Sequence, residues 1–305
     1  MAFTMHSHSG QFCPGHAKDT LEQVIQHAIS TGYKTIGLTE HMPRTSLSDL
    51  YPEELADPSP EETLASLFPR HEAYLAEAVR LRDKYAEQIH ILIGFEGEWI
   101  RSEDYGPLIQ KLAEDARVDY FIGSLHHTRG IPIDFDGVLY QKALDACGGS
   151  EEDKLFEAYF DEQYDMLSRL KPKVVGHFDL IRLFSSQPSR VLKGTSPVWE
   201  KVVRNLRVVK EYGGWLELNT SAFRKGLEEG YPKKEIAEEW VGMGGRFTFS
   251  DDSHGIAQIS TNYLRGLEYL EGFGVKEVWT LERRKSGLVE RAVTIEEFRK
   301  SLRVV

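Results

Sequence analysis

A short apolar run, a side chain able to bind metal just after it, and then a longer amphipathic stretch: this order recurs along the chain and limits its fold. The runs cover residues 2–5 (AFTM), 35–38 (TIGL), 89–95 (IHILIGF), 120–123 (YFIG), 174–176 (VVG), 215–218 (WLEL) and 246–249 (RFTF). They are short and rich in β-branched and aromatic residues, and helical periods separate them. That pattern argues for a parallel sheet of βα units. Seven units predict an α/β fold, a (β/α) barrel one unit short of eight. An open doubly wound sheet shares the same periodicity.

The helices carry their own signals. Asp19 precedes TLEQVIQHAIS with Glu22 three residues on, a capping-box arrangement. Leu21, Val24, Ile25, Ala28 and Ile29 share one helical face, and Gly32 stands where a left-handed cap ends a helix. Further helices are expected over 61–87, 103–116, 151–169, 198–212, 233–241 and 261–271, with Pro69 breaking or kinking the first of these. VKEVWTLE followed by TIEEFRKSL adds a last strand and helix. Residues 45–60 and 128–150, rich in Pro, Gly, Asp and Ser, read as loop insertions on the functional rim of a single domain spanning 1–305.

Composition removes several classes of function. A chain of 305 residues is within the range that barrels occupy as one unit. Its net charge of −11 opposes binding to a phosphate backbone, which needs clustered Lys and Arg, so no nucleic-acid partner is expected. No apolar run approaches the ~20 residues of a membrane span, and the N-terminus lacks the order of a signal peptide. These points predict a cytoplasmic protein with no membrane partner; oligomeric state is left open. Cys13 and Cys147 lie too far apart in sequence to suggest a disulfide framework, and Cys13 reads as a small residue beside a site rather than a thiolate ligand.

The histidines give the chain its chemistry. Of 11, only His27, His71 and His90 fall in helices or at a strand start. MHSH (His6, His8) follows the first strand, with His16 in the loop after it. TEH (His41) follows the second strand and GFEGE (Glu96) closes the third. GSLHH (His126, His127) follows the fourth, GH (His177) the fifth and SDDSH (Asp252, His254) the seventh. In a βα architecture these positions converge on the C-terminal face of the sheet, where active sites assemble. Imidazoles and carboxylates without thiolates suit zinc, manganese or iron. Nine such ligands, with the adjacent His126 and His127 counted once, exceed the roughly four that one zinc ion takes, so two or three divalent ions are expected. Clustered divalent ions activate water and stabilise the attacking and leaving oxygens at phosphorus, which points to hydrolysis of a phosphate ester. Deaminase-type or amide hydrolysis ranks second.

Taken in this order, HSH, His16, TEH, GFEGE, GSLHH, GHFDLIR and SDDSH resemble the polymerase and histidinol phosphatase (PHP) family. GSLHHTRGIPIDFD, GHFDLIR and LELNTSAFRKGLEEGYP are similar to its histidinol-phosphate phosphatases. The resemblance spans residues 6 to 254 and implies a distorted TIM-like (β/α)7 barrel. It implies three metal positions: His6, His8, Glu96 and Asp252 at one; Glu96, His126 and His177 at a second; His16, His41 and His254 at a third. Glu98, two residues beyond Glu96 on the same face, is a rival for the carboxylate.

The same resemblance implies hydrolysis of L-histidinol phosphate to L-histidinol and phosphate by a metal-activated water; Asp252, His254 or an ordered water is able to protonate the leaving group. Arg182 is a candidate for phosphate contact, and Arg224 and Lys225 follow the one strand whose end offers no metal ligand. His127 and Asn219 are candidates for substrate contact. Glu98, Asp179 and Asp251 are candidates for the substrate's ammonium or imidazole. The competing expectations are another small phosphomonoester as substrate, or a non-catalytic metal-binding regulatory domain.

Overall fold

The computed structural model describes residues 1–149, 151–194 and 197–303. Seven strands form one parallel sheet in sequential order: β1 (Ala2–Thr4), β2 (Tyr33–Leu38), β3 (His90–Glu98), β4 (Tyr120–Ser124), β5 (Val174–Val175), β6 (Trp215–Asn219) and β7 (Phe247–Ser250). The open-sheet alternative is decided by the seam. Met5 N donates to Phe249 O at 3.2 Å and His8 N to Ser253 O at 2.8 Å, so the first and last segments meet and the sheet nearly closes into a barrel. Sequence periodicity cannot show this, because closure depends on contacts some 245 residues apart.

Almost every strand residue is buried, which is why the strands read as continuous apolar runs rather than alternating ones. Inside the barrel the Tyr120 hydroxyl crosses from β4 to donate to Met5 O at 2.6 Å. It passes directly over Gly37, where an added Cβ would lie 2.0 Å from that hydroxyl. Glycine at 37 is therefore a requirement of close approach.

The first helix, Leu21–Ser30, is capped one residue later than the sequence suggested. Thr20 and Gln23 form the reciprocal box, while Asp19 adopts a left-handed backbone (φ 66°) and accepts from Ile256 N at 2.8 Å. Asp19 thus ties the loop after β1 to the loop after β7. The helix Pro60–Lys84 runs through Pro69 without a break. Its buried stripe of Leu67, His71, Tyr74, Leu75, Ala78 and Leu81 outweighs the roughly 3 kcal/mol cost of an interior proline.

Both insertions contain more structure than loops. Residues 45–60 hold a 3₁₀ turn (Leu47–Asp49) and a one-turn helix (Pro52–Leu55). Residues 128–150 hold the helix Gly137–Ala146, capped by Asp136, behind a two-residue ladder of His127–Thr128 with Ile131–Pro132; Ser150 lies outside the described residues. The expected final strand is instead one arm of an antiparallel hairpin, Glu277–Arg284 with Gly287–Thr294, outside the barrel sheet. The helix after it, Ile295–Ser301, sets Phe298 against Phe3 of β1 and Phe249 of β7, each with ring centroids 5.1 Å apart. It covers the seam where an eighth βα unit would stand. Among the described residues no helix is long and apolar enough to cross a membrane.

Candidate metal centre

Six strand ends deliver side chains to one face of the barrel. His6 and His8 are fully buried and separated by one residue on the extended segment after β1, so their rings point the same way. Glu96 and Glu98 share one face of β3 and are equally buried. His177 and Asp252 follow β5 and β7 with left-handed backbones, φ 21° and 49°. Such non-glycine residues cost about 1–3 kcal/mol each, and they cluster where function over-determines the backbone.

Glu96 is the hub. Its Oε2 lies 3.3 Å from His6 Nε2, 3.5 Å from His8 Nε2 and 3.0 Å from His41 Nδ1. Its Oε1 lies 3.1 Å from His177 Nε2 and 3.4 Å from His126 Nε2, and those two nitrogens are 3.1 Å apart. Asp252 Oδ1 stands 3.6 Å from His6 Nε2 and 3.5 Å from His8 Nε2. Four donors at about 2.0–2.2 Å from a tetrahedral zinc are about 3.3–3.6 Å from one another. The four distances from His6 and His8 to Glu96 and Asp252 match that edge length, and His6, His8 and Glu96 offer donor atoms within 4.8 Å of one another. His8, His41 and His254 also offer three donor atoms within 4.8 Å of one another.

His16 joins this last group only by its ring, whose centroid is 5.2 Å from that of His41 and 4.7 Å from that of His254. Its Nδ1 is taken by Glu53 Oε1 at 2.7 Å, from the insertion after β2. The expected trio of His16, His41 and His254 is therefore drawn tighter around His8 than around His16. Glu98 reaches His41 Nδ1 at 3.2 Å and Arg44 at 3.8 Å, beside the hub rather than in its place.

Electrostatics and unmet hydrogen bonds both fit divalent cations. Glu96, Glu98, Glu217 and Asp252 are each at most 5 % exposed. Among the described residues the only arginine within 4 Å of these carboxylates is Arg44. Burial alone would drive the Glu96 carboxyl up, but the rings of His6, His126 and His41 hold it well below the usual carboxylate range. His6 Nε2, both ring nitrogens of His8 and His41 Nε2 are buried without a hydrogen-bond partner. Unpaired imidazole nitrogens facing carboxylate oxygens are what a metal ion resolves, and donors of this type suit zinc, manganese or iron.

Beside the cluster lies a cavity of about 390 Å³ lined by, among others, His126, His127, Asp134, Phe135, Arg224, Lys225, Tyr51 and Gln258. Of the expected substrate contacts, His127, Arg224 and Lys225 face it. Arg224 is committed to the loop after β7, donating to the carbonyls of Asp251 (3.0 Å) and Asp252 (2.9 Å). Lys225 is exposed at the rim.

The expectations for Arg182, Asn219, Asp251 and Asp179 require correction. Arg182 does not line the cavity: it is buried, donates to Asp179 Oδ2 at 2.9 Å and to the carbonyls of Glu229 and Gly230, and lies over the Tyr231 ring. It is a structural pin: its Nε and one terminal nitrogen are spent on acceptors in the wall, while its other terminal nitrogen is buried without a hydrogen-bond partner. Asn219 is buried beneath the site, donating to Glu217 (3.0 Å) and Asp252 (3.2 Å). Asp251 is spent on Tyr33 and Ser260, and Asp179 on Arg182 and Lys233. Asp252 and His254 sit inside the donor cluster. Cys13 is buried, and burial pushes its thiol well above the usual range, away from thiolate chemistry.

Sequence reasoning also missed residues. Strand β6, whose end offers no metal ligand, carries Glu217 beneath the site, fully buried and accepting from His6 Nδ1 and His177 N at 2.9 Å each. Its signal was a carboxylate within WLELN, a run buried on both faces. Tyr51, Glu53, Asp134 and Phe135 come from insertions whose place on the rim was legible but whose individual contacts were not.

The PHP domain model matches residues 4–221. The chain belongs to the PHP family. A fission-yeast protein (Schizosaccharomyces pombe) named "Probable histidinol-phosphatase" is 45% identical over 97% of this chain and 95% of its own. The Saccharomyces cerevisiae histidinol-phosphatase is 34% identical over 87% of both chains. The PHP barrel also matches two solved structures. HisK from Listeria monocytogenes gives a TM-score of 0.71 at 25% identity, covering 86% of this chain and 99% of that one. Histidinol phosphate phosphatase from Lactococcus lactis, solved with zinc, L-histidinol and phosphate, gives 0.65 at 18% identity over 92% and 96%, a likeness of fold.

Proposed function

We propose that this PHP domain is a metal-dependent phosphomonoesterase that hydrolyses L-histidinol phosphate to L-histidinol and phosphate. The observation that carries the chemistry is Glu96, whose two carboxylate oxygens face separate imidazole groups and could each serve a different ion. Similarity to histidinol-phosphatases along nearly the whole chain supports the substrate. The ligands would be His6, His8, Glu96 and Asp252; Glu96, His126 and His177; and His41 and His254 with His8 or His16. Two or three zinc, manganese or iron ions bound there would supply Lewis acidity, lowering the pKa of water and neutralising charge at phosphorus.

The chain's own residues shape the rest. Lys225 at the rim offers its ammonium to the phosphate, and Arg224 holds Asp252 in line through its backbone carbonyl. Asp134, half-buried in the cavity wall beside the Phe135 ring, suits the substrate's ammonium or imidazole. A pocket of this volume suits a small molecule and not a nucleic-acid strand. The acidic balance agrees with that, and we place the enzyme in the cytoplasm. The test is phosphate release from L-histidinol phosphate against a panel of other phosphomonoesters, with and without chelator. Activity indifferent to metal removal, or confined to unrelated esters, defeats the reading.

A further inference from the structure

We propose that Glu217 is a positioning residue that fixes the tautomer of His6 and thereby builds the ion position formed with His8, Glu96 and Asp252. The inference rests on the metal-centre reading above. Glu217 is fully buried in β6, and each of its oxygens has two partners. Oε1 faces His6 Nδ1 at 2.9 Å and accepts from the Ser250 hydroxyl. Oε2 accepts from His177 N at 2.9 Å and Asn219 Nδ2 at 3.0 Å. The backbone N–H of His177 can only donate, so Oε2 must act as an acceptor there. A carboxylate is an acceptor at both ends, so it also draws a proton onto His6 Nδ1. That leaves the Nε2 lone pair facing Glu96 and Asp252 at 3.3 and 3.6 Å. A carboxylate behind an imidazole is a general way of fixing a ligand's orientation and raising its basicity.

Glutamine at 217 would keep the shape and break the logic. Its carbonyl must face His177 N, so its amide –NH₂ falls toward His6 Nδ1. The ring must then accept there and carry its proton on Nε2, which disables it as a ligand. The same residue also ties β6 to the backbone of His177 and to β7, so one carboxylate sets three strand ends in register.

The experiment compares wild type, Glu217→Gln and Ser250→Ala, each loaded with zinc, by counting bound zinc across a chelator series. Glu217→Gln should release one ion at about 10–100-fold higher free zinc than wild type, with the other ions held normally. Ser250→Ala, which removes a donor to the same oxygen but leaves the His6 contact, should bind zinc as wild type does. Unchanged affinity in Glu217→Gln overturns the proposal, as does an equal loss in Ser250→Ala, which would make the role one of packing. Wild type that binds no zinc would defeat the metal-centre reading itself. Should Glu217→Gln fail to fold, histidine ¹⁵N spectra of zinc-loaded wild type decide. An Nδ1-protonated His6 ring, assigned by its loss in His6→Gln, supports the proposal, and an Nε2-protonated one overturns it.

Discussion

His71 allows a stability prediction with a definite sign. It lies on the helix Pro60–Lys84, is 8 % exposed, and neither ring nitrogen has a hydrogen-bond partner. Burial, and after it the Arg117 guanidinium, lowers its pKa from 6.5 to about 4, with Asp115 and Glu72 opposing weakly. The folded protein therefore holds this ring neutral at pH values where the unfolded chain would protonate it. Its contribution is fully present above the unfolded pKa of 6.5 and is lost as pH falls toward the folded value of about 4. The full difference is about 3 kcal/mol, of which about 2 kcal/mol falls between pH 7.5 and pH 5.0. For a chain this size that equals roughly 3 °C in melting temperature. His71→Leu removes the titration while keeping an apolar side chain of similar bulk. Thermal or urea unfolding of the metal-free proteins should show the wild type losing about 2 kcal/mol more than the variant over that interval. A wild-type-minus-variant difference that does not change with pH would refute the reasoning.

Other predictions concern the site. Glu96→Gln should cost the ions on both sides of the hub, and with them about three decades or more of kcat, whereas His16→Ala should leave those two positions filled; elemental analysis beside phosphate release separates the cases. Asp134→Asn should raise KM for L-histidinol phosphate about tenfold or more and leave hydrolysis of p-nitrophenyl phosphate unaffected, a split visible in steady-state kinetics. Arg182→Met strands Asp179 in the interior and should destabilise the fold by about 3–5 kcal/mol without changing the number of ions bound, as read by denaturant melts and metal counting.

Much of the barrel was legible because a parallel strand covered on both faces must be apolar throughout. All seven strands lie within a few residues of their expected positions, and the strand-end histidines and carboxylates point to one face. Helix starts were less legible: Asp19 and Thr20 both have the chemistry of a cap, and the demand of Ile256 N for an acceptor decided between them. The final hairpin was missed because only half of it has an apolar pattern. Its second strand, GLVERAVT, is largely exposed and pairs with a neighbour outside the barrel.

By itself, then, the sequence determined the βα repeat, the kind of donor at each strand end and the family to which the chain belongs, because these depend on local periodicity and on residue type. Tertiary structure decided which donors meet. It closed the barrel at Met5 and Phe249, engaged His16 with Glu53, and drew Arg182 away from the cavity into the wall. It also placed Glu217 behind His6. Each of these depends on a distance between residues far apart in sequence, and burial makes the outcome strict: a buried charge or imidazole must find its partner wherever the fold brings one within about 3 Å.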